Sequence, residues 1–132
     1  MWYDYFDNSK SLQTLYNEIP SLEGIEVRIG SIIIGDERNR VTICFDMPRY
    51  ADFPPDRWSG SNTAVVEVDF YGIANLKIST TSNIYRGKIA IEKNTEGLLE
   101  IRIRGSINLD MVADSGYIQR ISAYLLSKEC YP

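Results

Sequence analysis

A chain of 132 residues with 44% apolar and 24% charged side chains has the composition of a soluble globular domain, not of a disordered one. The net charge of −4 argues against direct nucleic-acid binding, which needs a basic excess to neutralise phosphates. Histidine is absent, which removes the commonest general base and metal ligand together with every catalytic triad built on imidazole.

The start, "MWYDYF", crowds Trp2, Tyr3, Tyr5 and Phe6 together. Aromatics this dense suit a membrane, a ring-bearing ligand or a partner, but the favoured reading is cover for an open end of a sheet. This start lacks the basic n-region and apolar run of a secretory signal, and no stretch approaches the roughly 20 apolar residues of a membrane span. The expectation is a cytoplasmic protein with no membrane partner. Residues 9–19, "SKSLQTLYNEI", space Leu12, Leu15, Tyr16 and Ile19 as i, i+3, i+4, i+7, which predicts one amphipathic helix. Ser9 or Ser11 would cap it, and Pro20 would end it.

Beyond Pro20 the period changes to two. "IEVRIGSIII" sets Ile25, Val27 and Ile29 against Glu26 and Arg28, "DERN" reads as a turn, and "RVTICFDM" aligns Val41, Ile43 and Phe45. Cys44 is expected as a small, reduced core residue, because its distance from Cys130 matches no zinc or redox spacing. "TAVVEVDFYGI" groups Val66, Val68 and Phe70 opposite Glu67 and Asp69, and "ANLKIST" follows after a short link. "GKIAIEKN", an "NTEG" turn, "LLEIRIRG" and "SINLDMVA" continue as a meander, while "YIQRISAYLLS" is ambiguous between strand and helix. The prediction is one mainly-β (α+β) domain over 1–132. It consists of an antiparallel sheet of seven or eight strands between about 22 and 126, sandwich-like or strongly curved, with one N-terminal helix packed on it.

One stretch breaks the alternation. In "FDMPRYADFPPDRWSGSN", Pro48, Pro54 and Pro55 remove amide donors and fix φ, so a regular strand is excluded and the loop is stiffened. A rigid loop bearing Tyr50, Asp52, Phe53, Asp56, Arg57 and Trp58 has the composition of a protein-binding surface, since large aromatics and arginine dominate binding hot spots. For Trp58 the favoured alternative is that it folds back and caps the core.

The order "FDMP", "FPPDRW", Asn62 leading into "VEVDF", then "LKI" and a closing "RISAY" resembles the immunity protein 50 family of bacterial polymorphic-toxin systems. The likeness runs from about Leu22 to Tyr124 and rests on Pro48, Pro54, Pro55, Trp58, Asn62, Phe70 and Ile121–Tyr124. One departure is that "STTSN" after "LKI" lacks the expected aromatic. The resemblance implies a small cytoplasmic protein that binds and neutralises a toxin, with no catalytic residues and no cofactor or metal. The mildly acidic surface would steer a basic toxin, with Glu67 and Asp69 as steering groups; the plainer reading of −4 is that it keeps the chain soluble.

Two other classes are weighed. Exposed aromatics beside carboxylates suit a carbohydrate- or small-ligand-binding β module. Glu67 and Asp69, two residues apart on one strand face, suit a carboxylate-dependent hydrolase, although that spacing is more often the wet face of a half-buried sheet. With Glu92 and Glu100 on strands expected to be neighbours, the pair would make an acidic face, partly neutralised by Arg102 and Arg104.

Overall fold

The structure, a computed structural model, describes residues 1–126. In chain order it comprises β1 (Phe6–Asp7), α1 (Lys10–Gln13), β2 (Glu26–Gly35), β3 (Arg40–Asp46), β4 (Thr63–Tyr71), β5 (Ala74–Thr80), β6 (Arg86–Lys93), β7 (Leu99–Gly105), β8 (Ile107–Ala113) and β9 (Ser115–Tyr124). The strands form one sheet in the order β1-β9-β4-β3-β2-β6-β7-β8-β5. The fold is mainly β, as the alternation predicts, but the described residues hold nine strands instead of seven or eight. The sheet is also mixed, because β1 runs parallel to β9. A two-residue strand has no period to detect.

Residues that alternate inward on each half of the sheet supply a single buried cluster. Val41, Ile43, Phe45, Val66, Val68 and Phe70 come from one half, and Ile101, Ile103, Leu109 and Met111 from the other. The two halves must therefore face one another, and β2 is where the sheet folds back. Its residues Glu26–Arg28 pair with β6, whereas Ile29–Gly35 pair with β3. The register slips between Ile29 and Ser31, placing a bulge at Gly30, and a bulge bends and twists the strand that carries it.

The turns follow their sequence signals. "DERN" becomes a tight turn in which Arg38 and Asn39 both take positive φ. In "NTEG", the Asn94 Oδ1 accepts hydrogen bonds from the Glu96 and Leu98 amides, and Gly97 adopts φ +83. The aromatic start seals one side of the core: Trp2 packs edge-on to Phe6 and Phe45, Phe6 edge-on to Phe70, and the Trp2 Nε1 donates to the Pro20 carbonyl.

The helix expected over 9–19 shrinks to the single turn of α1, although Leu12, Leu15, Tyr16 and Ile19 are all buried as the spacing implies. Its backbone is claimed elsewhere. The Leu15 carbonyl accepts from the Phe53 amide, and the Asn17 amide donates to the Asp52 carboxylate, so neither group is left to continue a helix.

Other expectations are corrected. Ile25 is exposed and lies just before β2 instead of sharing its core face. Cys44 is half-buried on the outer face of β3, with its Sγ 3.7 Å from the Glu67 carboxylate, because strict alternation with Ile43 and Phe45 points it away from the core. Burial raises the pKa of its thiol. Glu92 and Glu100 sit on β6 and β7, in the opposite half from Glu67 and Asp69, so these four acids do not share one face. Arg102 meets Glu100 within β7 itself, and the cross-strand acid that Arg102 and Arg104 share is Asp110 on β8, not one of the four acids expected to form the face. The "YIQRISAY" segment is strand, and Cys130 falls outside the described residues.

Candidate functional site

The proline-rich segment leaves β3 at Met47, whose amide donates to the Ala64 carbonyl and keeps the strand ends together. From there the loop is fastened to the segment after α1. The Tyr16 hydroxyl donates to the Arg49 carbonyl at 2.7 Å, and Arg49 lies over the Tyr16 ring, 5.1 Å from its centroid. Arg49 donates to the Glu18 carbonyl and to Asp52 Oδ1, the latter at 2.6 Å, while Asp52 Oδ2 accepts the Asn17 amide. That amide bond, aided by the Arg49 guanidinium, holds the Asp52 carboxyl below the usual carboxylate range. Burial pushes the Tyr16 hydroxyl up to about 12.

With the backbone pinned, side chains divide sharply. Trp58, on a 3-10 turn (Asp56–Trp58), is only 6% exposed and enters the core, its ring 6.1 Å from that of Tyr50. This agrees with the favoured reading of Trp58 as a core cap. Phe53 is the reverse: its amide is bonded to Leu15, yet its side chain leaves the residue 53% exposed. Asp56 and Arg57 are exposed beside it, and neither forms an ion pair with a described residue. An open hollow of about 510 Å³ lies against the same loop, lined by Tyr50, Pro54, Pro55, Asp56 and Trp58 among others.

The structure therefore brings Tyr50, Asp52, Phe53, Asp56, Arg57 and Trp58 onto one loop, but only part of that set meets solvent freely. Glu67 and Asp69 belong to the outer face of β4, in the middle of the sheet half. Glu67 lies 3.4 Å from Arg120 and is partly exposed. Asp69 is 4% exposed, accepting the Thr42 hydroxyl at 2.6 Å and the Tyr71 hydroxyl at 3.4 Å. A carboxylate held this way is a cross-strand structural bond, shut off from a partner's approach.

Two residues that composition did not single out position this loop. Arg49 ties Asp52 to the Tyr16–Glu18 backbone, and its i, i+3 spacing from Asp52 was the available signal. Asn62 closes the far end: its amide accepts from the Leu126 N–H at 2.8 Å, donates to the Leu126 carbonyl at 3.1 Å, and so stands in for a strand residue.

No helix among the described residues is long and apolar enough to cross a membrane. No curated protein and no solved structure matches the chain. A family model described as immunity protein 50 matches residues 8–124, which extends the likeness seen from Leu22 onward back over α1. With a match over that length, which takes in the whole proline-rich loop and the segment that fastens it, the chain belongs to the immunity protein 50 family.

Proposed function

We propose that this protein is a cytoplasmic immunity protein that binds one cognate bacterial polymorphic toxin and neutralises it by stoichiometric occlusion, without turnover. Family membership supports the toxin-immunity role. Phe53 supports the site, as an aromatic more than half exposed on a backbone that proline and Arg49 hold still. A loop already ordered before binding loses little conformational freedom when a partner docks, so more of the contact energy appears as affinity. The hollow on the same loop, lined by Tyr50, Pro54, Pro55 and Trp58, accepts a side chain from the toxin; Asp56 supplies charge at its wall, and Arg57 adds an exposed charge next to it in the chain. Steering of a basic toxin surface falls to the net charge of −4 and to the exposed Asp56, since Asp52 and Glu67 are each paired with an arginine and Asp69 acts only through the fold.

The test is co-expression with the toxic domain encoded beside it. Protection of growth, together with a one-to-one complex on gel filtration, is the expected result. Killing in the presence of the folded protein, or protection without any complex, overturns the proposal. The same titration repeated with Arg57→Ala, an exposed residue, assigns the loop if affinity falls while melting holds.

A further inference from the structure

We infer that the free edge of β2, Ser31–Gly35, pairs with the same edge of a second copy of this chain about a two-fold axis through Ile33. This goes beyond the toxin-binding reading and does not depend on it. On one side Ile29–Gly35 is laddered to β3. On the other, β2 meets β6 only at Glu26–Arg28, with one further bond from the Ile29 amide to the Tyr85 carbonyl at 2.9 Å. From Ser31 to Gly35 no described strand lies on that side.

Such an edge is normally blunted by charge, proline or a covering loop. This one reads Ser-Ile-Ile-Ile-Gly, without a charge, and leaves Ile33 53% and Ile34 65% exposed. It opens beside a cavity of about 220 Å³ lined by Ile32, Ile78, Tyr85 and Ile107 among others. Exposed isoleucines on an unpaired edge are poor in water and good in a sheet.

The edge also matches itself. Two antiparallel copies centred on Ile33 set Ile33 against Ile33, Ile32 against Ile34, and Ser31 against Gly35, so small residues meet small ones. A self-complementary interface of this kind is what a two-fold dimer requires.

Charge agrees with this symmetry. Arg28 stands before the run, its guanidinium 3.5 Å from where a Cβ on Gly30 would be, and its side chain remains 42% exposed while it pairs with Asp46. Asp36 and Glu37 follow the run and form no ion pair with a described residue. The two-fold axis carries Asp36 and Glu37 of each copy opposite Gly30 and Ile29 of the other, next to its Arg28, while Arg38, which falls opposite Arg28, is turned back over the Tyr71 ring of its own chain at 4.6 Å. A folded copy supplies this match, whereas the polar Ser127–Pro132 tail, with its lysine, glutamate and final proline, does not.

The experiment is sedimentation velocity on the purified protein alone across a wide concentration range. Wild type is expected at twice the mass of the chain. Ile33→Lys changes a residue that shares the outer face with Thr42, so it is expected to melt like wild type and sediment as a monomer. Asp36→Lys with Glu37→Lys is expected to weaken the dimer about tenfold or more, most strongly at low salt. Phe53→Ala, on the loop, stays dimeric. Wild type that is monomeric throughout, or Ile33→Lys that dimerises as wild type does, overturns the inference.

Discussion

Truncating Phe53 to Ala is the sharpest probe of the proposed interface, because the side chain divides its area between the protein and solvent. A phenylalanine carries roughly 200 Å² of area, so an exposure of 53% leaves about 100 Å² for a partner to cover. At about 25 cal/mol per Å² this is a ceiling near 2.5 kcal/mol, and the Cβ that alanine retains lowers it to about 2 kcal/mol, roughly thirtyfold in Kd. The part facing the protein costs at most about 1–2 kcal/mol of stability when lost, so the comparison is made well below the melting temperature of the variant. Isothermal titration of wild type and Phe53→Ala with the purified toxin domain reads the difference directly. Affinities within twofold of one another would show that the ring is not in the interface, and the assignment of this loop would fail.

Three further outcomes follow from the geometry. Trp58→Ala removes a buried ring from beneath the loop and is expected to cost about 3–5 kcal/mol, seen as a large fall in thermal or urea midpoint; a small fall would show that Trp58 is not a core residue. Asp52→Asn tests the loop fastening by its pH dependence. The carboxyl titrates lower in the folded chain, so its stabilisation is present above the ordinary carboxylate range and disappears as pH falls through the depressed value. The variant should melt below wild type at neutral pH, and the gap should narrow as pH falls below the ordinary carboxylate range; a constant gap throughout the acid titration would refute the tie. Gly116→Ala puts a Cβ within 2.5 and 2.6 Å of Phe6 ring carbons and 3.3 Å of Phe70. Expected are a loss of about 1–3 kcal/mol from overpacking and faster amide exchange at Phe6 and Asp7, the residues β1 pairs with β9; unchanged exchange would mean that β1 does not depend on this contact.

The strands could be read from the chain because burial on one face imposes a period of two, and Val41, Ile43, Phe45, Val66, Val68 and Phe70 obey it without exception. The helix misled for a related reason. Spacing at 3.6 reports which side chains share a face, and Leu12, Leu15, Tyr16 and Ile19 do share one. It says nothing of where the Leu15 carbonyl and Asn17 amide find partners, and those lie almost forty residues away in the loop. The candidate loop was visible in its prolines and aromatics. That Trp58 turns in and Phe53 out depends on these same long-range bonds. Asp69 shows the limit of alternation: outward on a strand is not the same as exposed when Thr42 and Tyr71 close over the carboxylate.

The division of β2 between two ladders has a thermodynamic corollary. Because one continuous strand is laddered to β6 at Glu26–Arg28 and to β3 over Ile29–Gly35, neither layer can be peeled away while its neighbour stays native. Melting monitored at Trp58 and exchange monitored on β7, in the opposite layer, should report a single cooperative event, with Gly30 as the joint through which it is transmitted.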